Sequence, residues 1–483
     1  LYTSCHPKEV AVRPAHTLLS ASLALALARP ALAAPPSTDA FLDETRARWE
    51  ELARKVWSFH EVALEEKQSA AVLADVLEKE GFKVTRGVAG MPTAFVASAG
   101  SGAPVIGILA EYDALPGLSQ APGQPTRQPE KAGAAGHGCG HNLLGSAAVA
   151  AGIAAHRELA ARKLPGTIRV FGTPAEELLL GKVFMARDGA FQGTDALLAW
   201  HPDDENRVPN RTRLAISAID VEFHGRTAHA AAAPWLGRSA LDAVELFDHA
   251  LALMREHVLP TARMHRAIKA GGDVPNVIPD YAKVQWFVRD ADVKRVEEML
   301  GRVRKAADGA ALGTETAAKV TLLGQTREPV PNDTLGQVLQ RELERVGPPR
   351  FDEREVAYAK ELQRSMGVAE KGLSSQVVPY GPGHGSTASS DIGEASAIVP
   401  LAELNVVTRP LGTASHTWVV TSCSAHPLGG KGMLVAAKVL AASAVRLAAE
   451  PPLVSAAKDE LAKATGGRPY QSPLSADARP ARY

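Results

Sequence analysis

"GTIRVFGTPAEE" (residues 166–177) is an apolar run closed by two glutamates, and it sets the reading of the whole chain. It has the composition of a buried strand whose polar residues begin where the strand stops. Two other runs follow the same plan. "PVIGILAEYDALPG" (104–117) leads into a loop carrying Glu111 and Asp113, and "DALLAWHP" (195–202) ends in Trp200 and His201. "AFVASAG" (94–100) is a further strand. Between them "HNLLGSAAVAAGIAAHRELAARK" (141–163) is helical and rich in small residues, which suits close packing on a sheet. Strands alternating with helices, with polar side chains gathered at strand ends, predict an α/β sheet that binds its ligand at the carboxyl ends of the strands.

Upstream, the apolar spacing over residues 41–84 predicts two amphipathic helices. Downstream the texture changes near residue 212. "RLAISAIDVEFHG" (213–225) reads as a long strand and "GRSALDAVELFDHALALMREHV" (237–258) as a helix. Residues 267–290 give two more strands around a turn, and 292–310 a second helix. This β-α-β-β-α-β order predicts a small ferredoxin-like inserted domain. The expected organisation is a leader over 1–34, a first catalytic segment over 35–211 and the inserted domain over 212–325. The α/β pattern then resumes over 326–450, broken by a Gly/Ser-rich loop at 381–393, and a Pro/Ala-rich surface tail covers 451–483.

The chain's 483 residues carry 53 basic and 53 acidic side chains, and no basic cluster interleaved with aromatics. That argues against nucleic acid and for a small-molecule or peptide ligand. At the N-terminus, Lys8 and Arg13 precede an apolar run from Leu18 to Ala28 and then "ALAA". The run is shorter than the roughly 20 residues a membrane span needs. We read it as an export signal cleaved near Ala33 or Ala34, giving a periplasmic or secreted protein with no membrane anchor. An Ala/Leu-rich leader without targeting is the alternative, since Arg29 interrupts the stretch. Of three cysteines, Cys5 precedes the apolar run, and counting leaves a Cys139–Cys423 disulfide open. A zinc finger needs more cysteines at short spacing.

Cys139, His141, Glu176, Glu177 and His201 are the metal-type residues at predicted strand ends. In "GHGCGHN" (136–142) Cys139 and His141 are two apart, so in extended chain they share a face. A thiolate and an imidazole suit zinc. Taken singly, a strand-end histidine is more often structural, and "PAEE" can simply start a helix with favourable charge. Their co-occurrence on the ligand-binding face is what favours a metal site.

With these motifs stand "WHPDD" (200–204), "HGRTAHAAAAPWLGRSALDAV" (224–244), "PNVIPDYA" (275–282), "SHTW" (415–418) and "KGMLVAAKVLA" (431–441). In this order the chain resembles the aminoacylase/carboxypeptidase metallopeptidases, in the amidohydrolase branch that includes hippurate and auxin-conjugate hydrolases. The resemblance covers everything after the leader. It implies a mixed-sheet α/β/α zinc-peptidase-like catalytic domain with the inserted domain as lid and dimerisation unit. It also implies two divalent metal ions, with zinc favoured and manganese or cobalt as alternatives. Cys139 would bridge the ions, with His141, Glu177, His201 and His416 completing the set. His416 is chosen over His426 because it stands in "SHTW". Glu176 would be the general base, and Asp113 would orient a ligand or, alternatively, only end its strand. His229 would reach the active site of a partner protomer and stabilise the oxyanion, and Asn276 and Arg289 would hold polar groups of the substrate, with an exposed strand residue as the alternative for Arg289. The implied substrate is a small N-acyl amino acid, preferably aroyl, or a dipeptide-like amide, and a dipeptidase or carboxypeptidase using the same site is the alternative. A homodimer is expected, with a hetero-oligomer as the other possibility.

Two positions depart from the family pattern. Leu178–Leu180 stand where a glycine run is usual, and would either wall the pocket or start a helix. Asn142 replaces an aspartate, so any supporting role changes from charged acceptor to neutral donor and acceptor.

Overall fold

The computed structural model describes residues 37–210, 212–381 and 387–481. The export signal read over residues 1–34 lies outside the described residues, as does Cys5. Among the described residues Cys139 and Cys423 are both free and buried, so the disulfide left open by counting is not formed.

The N-terminal region forms three helices rather than two: α1 (Thr38–Glu44), α2 (Arg46–Phe59) and α3 (Lys67–Lys79). His60 ends α2 in the left-handed region at φ 52°. No glycine or proline marks that break in the sequence. Then come β1 (Lys83–Arg86), β2 (Phe95–Ser101), β3 (Val105–Ala110), α4 (His141–Arg162), β4 (Gly166–Gly172), α5 (Gly181–Arg187) and β5 (Ala196–Asp203). The next six elements, in the predicted β-α-β-β-α-β order, are β6 (Ala215–His224), α6 (Ala240–Met254), β7 (Arg263–Ala270), β8 (Tyr281–Asp290), α7 (Val293–Thr314) and β9 (Ala317–Thr326). The chain returns with α8 (Asp333–Val346), α9 (Glu353–Ser365), α10 (Ile392–Ser396), β10 (Leu401–Val407), α11 (Trp418–Ser424) and α12 (Pro427–Ala449). Beyond residue 450 the stretch read as a surface tail opens with α13 (Pro451–Thr465), anchored by buried Val454 and Ala457.

The main sheet has the order β1-β2-β4-β3-β5-β10. It is mixed: β3, β4, β5 and β10 run parallel, while β1 and β2 pair antiparallel. Its two faces follow from strand periodicity. Leu198 and Trp200 face the core shared with α4 and α12, whereas Leu197 and Ala199 face the core shared with α5. The small residues of α4 let it lie deep in the first core, with Ala147, Ala148, Ala150 and Ala151 fully buried. Helix α12 is long and apolar enough to cross a membrane, but 72% of its apolar window is buried inside the fold, as befits a core helix. Trp200, 1% exposed, donates from Nε1 to the Leu144 carbonyl at 3.0 Å, pinning β5 to α4 next to His201. Burying a side chain of this size contributes about 3 kcal/mol.

The second sheet, β7-β8-β6-β9, packs one face on α6 and α7 through Phe223, Phe247, Trp286 and Val303. The class expected from the sequence, a mixed α/β fold with a second ferredoxin-like sheet, is the one observed.

Candidate metal centre and substrate cleft

The candidate donors meet where the parallel strands end. Glu111 and Asp113 follow β3, Glu176 and Glu177 form a single helical turn after β4, and His201 lies near the end of β5. Cys139 and His141 flank Gly140, whose left-handed φ of 79° caps α4 and whose Cβ, if present, would crowd Pro202 at 3.0 Å. The loop just before α11 brings in His416, whose backbone N–H donates to the Gly138 carbonyl at 2.8 Å.

The five predicted donors form two sets that share one residue. Cys139, His141 and His201 each present a ligand atom within 4.8 Å of the others, and so do Cys139, Glu177 and His416. Cys139 Sγ lies 3.3 Å from His201 Nε2, and His416 Nε2 lies 3.3 Å from Glu177 Oε2. His141 Nδ1 donates to Asp113 Oδ1 at 2.8 Å, and His201 Nδ1 donates to the Pro202 carbonyl at 2.8 Å. Both partners are acceptors, so Nδ1 is the donating nitrogen of each imidazole and Nε2 is the one turned toward the other donors. Asp113 also accepts the Glu177 backbone N–H at 2.9 Å, so one carboxylate fixes two donors.

His141 Nε2 and Glu177 Oε1 are buried without hydrogen-bond partners. Buried polar atoms are rarely orphaned, and here both point into a group of S, N and O donors. This donor set fits a pair of divalent transition ions, with Cys139 common to both.

The electrostatics agree with that fit. Burial, reinforced by Glu177, pushes the Cys139 thiol up to about 12. Burial, with Asp113 and Glu111 adding to it against His141, raises the Glu177 carboxyl to about 8. Glu176 is raised well above the carboxylate range by burial and then by Glu111 and Glu177. Cations reverse such shifts, so binding them releases protons.

The cluster opens into a cleft of about 640 Å³. Leu115, Leu179 and Phe287 supply apolar wall, and Arg289, from β8, reaches it from the second sheet. Arg289 Nη1 donates to Ser389 Oγ at 3.2 Å.

Two predicted residues are not brought to this cleft within one chain. His229 and Asn276 are exposed together at the second sheet's loops, where the Ala230 N–H donates to the Asn276 carbonyl at 3.0 Å. Neither lines the cleft. The reason for Asn276 is geometric: its loop turns back on the His229 loop and leaves only β8 to face the donors.

The departures resolve into packing. Leu179 lines the cleft with φ at 56°, in the region glycine prefers, while Leu180 is buried in the second core. Asn142 Nδ2 donates to the carbonyls of Ala53 at 3.2 Å and Ser424 at 3.1 Å, tying α2 and α11 to α4. An aspartate would set a carboxylate against two carbonyl oxygens there. His137 is buried with Nε2 3.4 Å from the Val56 carbonyl. His426 accepts the Leu428 N–H at the start of α12 and stacks on Tyr358 at 4.2 Å. Neither histidine belongs to a donor group.

Sequence reasoning did not single out the groups behind the donors. Lys182, fully buried, binds Glu111 at 2.7 Å and Asp391 at 2.5 Å. The only signal was Glu111 in the same loop as Asp113.

Among known proteins, the chain is 38% identical over 471 residues to one of the subunits of p-aminobenzoyl-glutamate hydrolase from Escherichia coli, covering 92% of this chain and 98% of that one. It is 35% identical to the Xaa-Arg dipeptidase of Mus musculus over 56% of this chain and 62% of the relative. The fold matches the crystal structure of an aminobenzoyl-glutamate utilization protein from Klebsiella pneumoniae at a TM-score of 0.59 and 18% identity, over 85% and 98% of the two chains. It also matches a Bacillus subtilis dinuclear metal binding peptidase from family M20 at a TM-score of 0.55 and 18% identity, over 84% and 99%. Residues 107–479 match peptidase family M20/M25/M40, and with the donors and the fold in place the chain belongs to that family.

Proposed function

We propose that this chain is a metal-dependent amidohydrolase that cleaves the amide bond of a small N-acyl amino acid, preferably one with an aroyl group. The observation that carries the reading is the juxtaposition of a half-buried Glu176 with the two donor sets in a cleft that pairs apolar wall with Arg289. The relative of 38% identity named for p-aminobenzoyl-glutamate hydrolysis points the same way.

Cys139, His141 and His201 would hold one ion, and Cys139, Glu177 and His416 the other. Two bound ions supply Lewis acidity toward water and the scissile carbonyl. The protein's own groups do the rest. Glu176, which completes neither donor set, takes the proton of the attacking water and passes it to the departing amine. Arg289 offers a planar fork for the amino acid's carboxylate, and Leu115, Leu179 and Phe287 shelter the acyl group from water. His229 and Asn276, exposed in one chain, act in this reading on the cleft of a second copy and complete the oxyanion and polar contacts there. Export follows from residues 18–34 in the same reading, and the N-terminal residue of protein recovered outside the cytoplasm tests it.

A panel of hippurate-type, aminobenzoyl-glutamate and unblocked dipeptide substrates tests the function. Hydrolysis of the acyl amino acids is expected, and turnover confined to unblocked dipeptides would overturn the choice. Glu176→Gln should keep its metal and lose about 10²–10⁴ in turnover. A variant with undiminished kcat defeats Glu176 as the base. The Escherichia coli relative is named as one part of a multi-chain hydrolase, which favours one further reading, activity only in a hetero-oligomer. Turnover by the purified chain alone decides against it.

A further inference from the structure

Glu111 is an acidic group that neither donor set includes and to which the mechanism above gives no role. It is 6% exposed, and its two oxygens are used differently. Oε1 is held by the Lys182 ammonium at 2.7 Å, and Lys182 is itself fixed by Asp391, through Nζ at 2.5 Å and its backbone N–H at 2.8 Å. Oε2 is left facing His141 Nε2 at 3.3 Å, without a hydrogen bond between them. A third convergent group results: Glu111, His141 and Glu176 each present a ligand atom within 4.8 Å of the others. The backbone is fixed too, because α4 approaches so closely that a Cβ on Gly145 would sit 2.7 Å from the Glu111 carbonyl.

A buried lysine is rare unless paired, and this one costs two carboxylates to keep. Its effect is to commit one oxygen of Glu111 and aim the other at a fully buried, partnerless imidazole nitrogen.

We propose that Glu111 Oε2 is a further ligand of the ion that His141 Nε2 binds, with Lys182 and Asp391 as the positioning pair that holds it. This inference rests on the two-metal reading above and goes beyond it. On the His141 side Glu111 then adds a donor, through its approach to His141, to the set of Cys139, His141 and His201. The ion on the His416 side has three, Cys139, Glu177 and His416, and so keeps the position open to substrate. The two ions are therefore unequal, the first held by one more protein donor than the second.

The test is zinc affinity of the full chain by competition with a chelating dye, for wild type and Glu111→Gln, together with a crystal structure of the zinc-loaded wild type. Glu111→Gln should weaken one of the two ions by at least roughly tenfold and leave the other near its wild-type affinity. In the crystal, Oε2 should lie at a zinc–oxygen bond length of about 2.0–2.2 Å. The crystal arm decides the matter if the variant does not fold. Wild-type affinities for both ions in Glu111→Gln, or a water standing between Oε2 and the ion, overturn the inference and leave the proposed function standing. A wild-type chain that takes up no zinc overturns both.

Discussion

Replacing Asp113 by asparagine separates the two tasks of one carboxylate. In the native chain Oδ1 accepts from His141 Nδ1 at 2.8 Å and Oδ2 accepts from the Glu177 N–H at 2.9 Å, on a side chain 1% exposed. Asparagine keeps one acceptor and turns an amide N–H₂ against the other donor. Whichever way it faces, one donor loses its partner. A buried unpaired donor costs about 1–3 kcal/mol, and the charged hydrogen bond lost with it contributed about 1.5–3 kcal/mol. In the metal-free chain a term of opposite sign enters, because the charge on Asp113 helps to raise both Glu66 and Glu177. Melting of the metal-free protein therefore mixes two opposed effects and is the wrong readout.

Metal affinity is the right one. The histidine must present Nε2 with its proton on Nδ1, and loss of the group that enforces this usually weakens binding 10–100-fold. That is about 1.4–2.8 kcal/mol at 1.4 kcal/mol per decade, within the range of one lost buried partner. Zinc titration against a chelator at neutral pH, with circular dichroism to show that the variant is folded, measures it. Affinities within threefold of wild type for both ions would refute the claim that Asp113 orients the centre.

Two further expectations concern other parts of the molecule. Burial, aided by His141, holds the His137 imidazole down to about 3, below its ordinary 6.5. The unfolded chain binds that proton below pH 6.5 and the folded chain does not until about pH 3, so stability falls as pH falls through this window. His137→Leu should flatten the loss between pH 6.5 and 4 by about 3 kcal/mol in urea unfolding, and an unchanged slope rejects it. For the second copy, co-expressing inactive His229→Ala with inactive Glu176→Gln should restore about a quarter of wild-type activity if each site borrows His229 from its neighbour in a symmetric dimer. No recovery places His229 outside its neighbour's site.

The donors were legible because they are local. Cys139 and His141 are two residues apart, Glu176 and Glu177 are adjacent, and each motif sits at the end of an apolar run that can only be a strand or a buried helix. The ferredoxin-like order was legible for the same reason. The support behind the donors was not. Lys182 stands two residues after three leucines and reads as a helix start, while its partner Asp391 is 209 positions away in a loop. No periodicity connects them, and a buried lysine is the reverse of what composition predicts. The break at His60 was hidden because its left-handed backbone is carried without glycine. His229 and Asn276 showed themselves as motifs, but a motif says nothing about distance, and only coordinates place them away from their own cleft.

The pairing of β10 with β5 has a consequence for the making of this protein. His201 and His416 are separated by roughly 215 residues, about half of which span the second sheet and its helices. At 5–20 residues per second, the ribosome needs about 10–40 s to pass from one to the other. During that interval Cys139, His141 and His201 already exist, while the strand that covers the edge of β5 and the last histidine do not. The Cys139–His141–His201 donor set is therefore complete in the growing chain long before the Cys139–Glu177–His416 set, which waits for its histidine.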